Sequence, residues 1–331
     1  MTTQAAEIEE TKEEFNTDQV LTIVGGHFVH DTYSAFVAPL LPLIIEKLSL
    51  TLTLAGSLTA FMQLPGLLNP VIGYLADKVS LRYFVILAPA ATATLISAMG
   101  FAPNYFVLAI IMLLVGVSVA AFHAPSPAMI GRISGDKIGK GMSYFMAGGE
   151  LARSVGPIIA VWAVGLWGLD GIYRLMFVGW ASSLLLYWRL REVSGRTTTT
   201  GSLRSITPKL VSFFLPLTVI VFFRMFLAVS LTTYLPTYLT LFGYTLSAAG
   251  IYLAILEFSG VGGALLSGTI SDRLGRKKML FFAFAASSLL TLVFLQVSGF
   301  WNIPLLVGVG FTALSTGPLF LALVQDQLPK N

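Results

Sequence analysis

"GTISDRLGRKKML" runs from Gly268 to Leu280 and is the densest positive stretch in a chain that otherwise avoids charge. Apolar runs flank it, "IYLAILEFSGVGGALLS" before and "FFAFAASSLLTLVFL" after. A partial copy, "GYLADKVSLRYFV", occupies Gly73 to Val85. Gly73 and Gly268 stand 195 residues apart, and so do Asp77 and Asp272. A loop signature that returns at one interval, each time between apolar runs, points to a duplicated unit.

The composition fixes the class of the chain. Of 331 residues, 56% are hydrophobic and only 11% charged, against about 25% charged in a soluble domain. The mean hydropathy is +0.82. So little polar surface is compatible with a lipid bilayer as the solvent. The net charge of +4 is small and dispersed, which argues against a nucleic acid partner. There is no cysteine, so disulfides, thiolate metal sites and cysteine nucleophiles are excluded. The first residues, "MTTQAAEIEETKEEF", are acidic and polar. A secretory signal has a basic start and an apolar core, so residues 1–18 read as a solvated tail.

A membrane-spanning helix needs about 20 mostly apolar residues. Ten segments qualify: 19–46, 52–76, 82–101, 104–129, 141–167, 171–190, 210–240, 246–271, 277–298 and 301–325. They lack the period-two alternation of strands. Pro39, Pro42, Pro65, Pro70, Pro157, Pro216 and Pro236 fall inside them and are expected to be tolerated as kinks. The one long polar stretch, "REVSGRTTTTGSLRSITPK", divides the chain. The expected organisation is an N-terminal six-helix half (19–190), a linker (191–209) and a C-terminal half (210–331) with four helices.

Loops after even-numbered spans, with the termini, carry sixteen of the basic residues, and the opposite side carries only Lys47 and Arg174. The positive-inside rule then puts the termini and linker on the cytoplasmic side. The fold class expected is an all-α integral membrane bundle of two pseudo-symmetric halves. Adding one 195-residue interval to the end of the first half reaches well past Asn331. The chain is therefore expected to be a truncated six-plus-six protein, the rival being a true ten-span one.

"GYLADKVSLR" and "GTISDRLGRKK" resemble the loop motif G-x-L-x-D-R-x-G-R-R/K of the major facilitator superfamily. The second copy fits closely; the first has Lys78 for Arg and Ser80 for the second Gly. The resemblance implies that Gly73, Asp77, Arg82, Gly268, Asp272, Arg273, Gly275 and Arg276 form a cytoplasmic gate that releases as the halves rock. "GHFVHDTYSAFVAPLLPLI" and "AAFHAPS" are similar to the fosmidomycin-resistance-type branch, which consists of efflux proteins. "GGELARSVGPII" partly resembles the Gly-Pro motif of proton-linked antiporters. The fourth-span Arg of many drug antiporters is absent, and Met112 stands near its place.

Asp31, Glu150, Arg153, Arg224 and Glu257 lie inside the apolar runs. Such a charge costs roughly 2.5–3.5 kcal/mol on insertion scales and marks a functional site by default. All five sit near mid-span, which reads as one polar cavity. Glu150 and Arg153, three apart, can instead pair with each other. His27, His30 and His123 are also inside spans, and His27 shares a helix face with Asp31. A buried histidine or a desolvated carboxylate can exchange protons near neutral pH. Asp31, with His27, Glu150 and Glu257, is thus expected to couple protons, Asp31 being the first choice. Arg224, Arg153, His123 and His30 are expected to meet substrate. The relay is ranked first, structural histidines donating to backbone carbonyls second, and a metal-ion reading of His27, Asp31 and His123 last. "SGVGGALLSG" and the glycines of the fifth span (Gly141, Gly148, Gly149, Gly156) read as close helix approaches rather than a dinucleotide loop. Tyr33, Phe36, Tyr144, Phe145, Tyr234 and Tyr238 are either cavity-lining or packing residues.

No phosphate-binding loop, H-E-x-x-H or G-x-S-x-G is present, so no cofactor and no enzymatic activity are expected. The expected function is proton-coupled export of a small polar or anionic molecule by a monomer in the cell membrane. The partners are then substrate, protons and lipid. Uptake by a symporter, and a non-transporting receptor or scaffold, are the alternatives.

Overall fold

The computed structural model describes residues 14–193, 208–317, 319–320 and 323. Among these the regular elements are helices, with no strand. The first group comprises α1 (Thr17–Ser34), α2 (Val37–Leu48), α3 (Leu52–Gln63), α4 (Asn69–Lys78), α5 (Arg82–Ala98), α6 (Tyr105–His123), α7 (Ser126–Ile133), α8 (Ile138–Trp167) and α9 (Met176–Leu190). The second comprises α10 (Pro208–Leu241), α11 (Leu246–Leu274), α12 (Arg276–Phe294) and α13 (Asn302–Ala313). The tail before Glu14, the linker core at 194–207 and most of the chain after 320 lie outside the described residues.

Helix starts follow local capping chemistry. The side chains of Asn16, Thr51, Asn104 and Thr245 accept hydrogen bonds from the backbone N–H three residues on, at 3.1, 3.3, 3.1 and 3.2 Å. Each satisfies a donor that the helix itself leaves open. Where described, all ten expected segments are helical, and among the described residues seven stretches are long and apolar enough to cross a membrane. The first, second, fourth, sixth and tenth segments are assembled from shorter pieces.

Proline decides where several segments break. Pro39 has no N–H for the carbonyl of Ala35, and α1 ends at Ser34. Pro127 has none for the carbonyl of His123, where α6 ends. Pro65 and Pro70 bracket the 3-10 turn that separates α3 from α4. Each ring removes a helix bond and clashes with the preceding turn. Pro157, Pro216 and Pro236, by contrast, are accommodated inside continuous α8 and α10.

Packing follows two themes. Large apolar side chains such as Leu67, Phe106, Trp188, Leu265 and Phe281 point outward and are mostly exposed, as suits a lipid solvent. Small residues let helices meet inside. α1 lies along α8, α5 along α9, α3 along α6, and α13 against both α11 and α12. Along α8, a Cβ at Gly148 would fall 3.0 Å from the Val24 carbonyl oxygen, and one at Gly156 would fall 2.9 Å from that of Thr32. A Cβ at Gly263 would collide with the Phe311 carbonyl oxygen. These contacts match the close approaches expected for both glycine runs.

The two groups of helices meet through α8 with α11 and α2 with α10. The first contact sets Gly250 against Val161, near the start of α11. At the same end the Tyr234 hydroxyl donates to the Leu52 carbonyl at 2.9 Å. Gly56 leaves room for that phenol, since a Cβ there would collide with its oxygen. The loop motifs occupy the other end of the molecule.

The two loop motifs turn differently. Gly275 alone separates α11 from α12, with φ +91° and ψ 135°, a conformation nearly confined to glycine. The first copy spends three residues, Val79 to Leu81, and begins with Val79 in an extended conformation (φ −127°). None of the three has a positive φ, so Ser80 serves where the motif has Gly. Gly275→Ala is expected to destabilise the protein by about 1–3 kcal/mol, whereas Ser80→Thr, which keeps the hydroxyl at a position without a positive φ, stays close to wild type. Thermal unfolding of the two purified variants in detergent checks the contrast.

Candidate functional site

Asp31 sits in the last turn of α1, just before the break at Ala35, and is buried. His27 lies one turn earlier and His30 beside it, both buried. His123 ends α6 at the second proline break, and its side chain is 32% exposed. Packing of α1 against α6 and α8 brings all four together. His27 Nε2 is 3.2 Å from Asp31 Oδ2, and His30 Nδ1 is 2.9 Å from Oδ1. His123 Nε2 is 3.4 Å from Asp31 Oδ1 and 3.2 Å from His27 Nε2.

The backbone sets the tautomers. His27 Nδ1 is 2.8 Å from the Phe145 carbonyl and His123 Nδ1 is 3.0 Å from that of Val119. A carbonyl only accepts, so both Nδ1 atoms carry hydrogen. In the neutral rings Nε2 is then a bare lone pair. Two such lone pairs face each other and a carboxylate. His30 is fixed from behind: Nε2 is 3.1 Å from Thr92 Oγ1, which donates to Ser118 Oγ at 2.8 Å. Phe145 stacks on His27 with ring centroids 4.0 Å apart, and Phe122 stacks on His30 at 4.5 Å. Gly149 on α8 leaves the space this requires, because a Cβ there would lie 2.5 Å from His27 Cε1.

A second polar group crosses from α8 to α11. Arg153 pairs with Glu150 on its own helix and lies 3.8 Å from Glu257 Oε2 on α11. The Arg153 side chain is 45% exposed and that of Glu257 12%. A half-exposed guanidinium at the middle of a 30-residue helix borders a polar opening rather than lipid. On α10, Arg224 donates from Nε to Thr316 Oγ1 at 2.5 Å. Among the described residues no carboxylate oxygen lies within 4 Å of it.

The expected gate residues sit on the two loop motifs. Asp272 and Arg276 pair at 2.8 Å across one turn, and Arg276 also donates to Ser271 Oγ at 2.7 Å. Arg82 lies over the Tyr83 ring, 5.1 Å from its centre. Arg273 is exposed. Gly73 is on α4 and Gly268 on α11; the side-chain surroundings of Asp77 and of position 268 lie outside the described residues. Met112 is buried in the core beside α3. Of the aromatics, Tyr33 donates to the Leu175 carbonyl and Phe36 is buried with it. Tyr144 lies edge-on to Phe15, and Tyr238 lies 5.9 Å from Phe294.

Sequence reasoning missed Thr92, Ser118, Phe122 and Thr316. The first two are hydroxyls buried within apolar helices, which was the available signal.

The Major Facilitator Superfamily model matches residues 23–331. The fosmidomycin resistance protein of Escherichia coli (strain K12) is 25% identical over 316 residues, covering 92% of this chain and 77% of that protein. The multi-drug resistance efflux pump PmrA of Streptococcus pneumoniae serotype 4 is 25% identical over 324 residues, covering 92% and 80%. Among solved structures, a bacterial homolog of the human lysosomal transporter Spinster, inward-facing and occupied, superposes with TM-score 0.77 at 17% identity, covering 94% and 74%. A D-xylose-proton symporter gives 0.62 at 18% identity, covering 94% and 83%. The chain belongs to the Major Facilitator Superfamily, and is a multi-pass membrane transporter rather than an enzyme.

The fit of α8 against α1 gives a direct check. Gly149→Val is expected to push His27 off its Phe145 carbonyl and to cost about 1–3 kcal/mol, as overpacking does. Gly165→Ala, on the same helix with nothing within 4 Å of its Cβ, leaves the melting temperature unchanged.

Proposed function

We propose that this transporter exports small polar or anionic organic molecules and is driven by protons. The observation that carries the reading is Arg224, a cation inside an apolar helix with a hydroxyl but no carboxylate beside it among the described residues. An intramembrane cation of this kind needs an anion, and a substrate carboxylate or phosphonate would supply it. The efflux relatives favour export as the direction.

The coupling proton belongs on Glu257. Of the groups expected to carry it, His27 is held at Nδ1 by the Phe145 carbonyl and Asp31 by His30, and Glu150 is bound to Arg153. Among the described residues Glu257 has a single ion pair, at 3.8 Å, to a guanidinium already shared with Glu150. Ionised, Glu257 can accept a hydrogen bond from a polar group of the substrate; protonated, it holds a proton in that place instead, so substrate and proton exclude one another there, as exchange requires. Substrate and proton thus bias the same group, which is what coupling requires. Arg153 also ties α8 to α11, so the exchange is registered at the contact between the N-terminal (19–190) and C-terminal (210–331) halves. Rocking at that contact, with the Asp77 and Asp272 loops closing the other face, gives alternating access. The excess of basic residues puts those loops and the N-terminus in the cytoplasm.

The purified chain in proteoliposomes, given an imposed pH difference and a panel of phosphonates, carboxylates and sugars, tests the reading. Arg224→Ala is expected to weaken anion binding by about tenfold or more, the size of a lost charged hydrogen bond. Glu257→Gln is expected to abolish pH-driven accumulation while substrate binding persists, and Asp272→Asn to abolish flux. Accumulation by Glu257→Gln at the wild-type ratio would remove Glu257 from coupling. Movement of the substrate with the protons rather than against them would make the protein an importer.

A further inference from the structure

We infer that His27, Asp31 and His123 form a binding site for a divalent transition-metal cation of the zinc class. The inference is independent of where the coupling proton sits. The three ligand atoms make a triangle with edges of 3.2 Å (His27 Nε2 to His123 Nε2), 3.2 Å (His27 Nε2 to Asp31 Oδ2) and 3.4 Å (His123 Nε2 to Asp31 Oδ1). Ligands about 2.0–2.1 Å from a tetrahedral zinc ion are separated by about 3.3 Å. All three ligand atoms lie within reach of a single ion, and this spacing, invisible in the sequence, is what brings the metal reading forward.

The surroundings are those of a ligand set. Both imidazoles donate Nδ1–H to backbone carbonyls, of Phe145 and Val119, which fixes Nε2 as the free lone pair and orients it. His30 holds the carboxylate in place and is itself held by Thr92. Metal-binding histidines and carboxylates are positioned by such outer partners. The two Nε2 lone pairs face one another and the second carboxylate oxygen across a buried space. Two imidazoles with one carboxylate suit zinc, cobalt(II) or nickel(II) and disfavour magnesium and calcium, which take oxygen donors. Three protein ligands leave a fourth position open. His123, the one ligand with an exposed edge, gives that position access from outside the cluster.

Cobalt(II) is the probe, because a tetrahedral site gives it strong visible absorption. Titration of the full chain in detergent should show one equivalent bound with that spectrum, displaced by zinc and not by magnesium. His123→Ala and His27→Gln should each lose the spectrum. His30→Gln, which removes only an outer partner, should keep it with affinity lower by about 10–100-fold. A monodisperse wild-type protein that shows no tetrahedral spectrum overturns the inference. So does a spectrum that survives in monodisperse His123→Ala. His123 is partly exposed, so its variant should fold; if it does not, the titration of wild type and His30→Gln still decides. Transport by Glu257→Gln is a separate readout, so failure here leaves the coupling assignment standing.

Discussion

Hydrocarbon offers no hydrogen-bond partner, and every polar atom of this chain that enters it must find one within the protein. The backbone meets the demand by being helical throughout the described spans. The constraint is most exposed where proline removes a bond, at Ala35 and at His123. Asp31 and His123 stand within a turn of those two places. Broken helices and buried ionisable groups coincide because both need the same thing, a dry interior with polar neighbours. Membrane transporters commonly build their sites from interrupted helices for this reason.

Helix α8 supplies many of those polar neighbours. One end of its polar face gives the Phe145 carbonyl to His27 and the bare backbone of Gly149 to the imidazole ring. One turn on, Glu150 and Arg153 face α11. A single helix therefore borders both the histidine cluster and the ion pair that joins the two groups of helices. Its glycines let α1 lie close on one side, and Gly250 of α11 lets Val161 approach on the other. Displacement of α8 is felt in both places.

Much of this was legible in the sequence, for identifiable reasons. The repeated loop was visible because its charges interrupt apolar runs. The His27–Asp31 and Glu150–Arg153 pairs were visible because helical periodicity alone fixes neighbours three and four residues apart. The arrival of His123 at Asp31, 92 positions away, depends on how α6 packs on α1, and no local pattern encodes that. The same holds for Arg153 with Glu257 and Arg224 with Thr316. Prolines were read as kinks, yet at Pro39 and Pro65 they end helices outright, as Pro127, which was not singled out, also does, because several lie close together and no single neighbour replaces all the lost bonds. Tyr234 was recognised as an aromatic of interest, but its role at Leu52 rests on the space at Gly56, 178 residues upstream.

The two loop copies also differ as mechanical parts. A one-residue joint at Gly275 has a single pair of torsions, so any swing of α12 is passed almost undiminished into α11. The three-residue joint at Val79–Leu81 has three pairs and can absorb the same swing as slack. The pair is thus a stiff elbow and a loose one, set in corresponding positions of a repeated unit. The ancestral symmetry survives in sequence while the leverage has become unequal, and the second group of helices inherits the rigid drive.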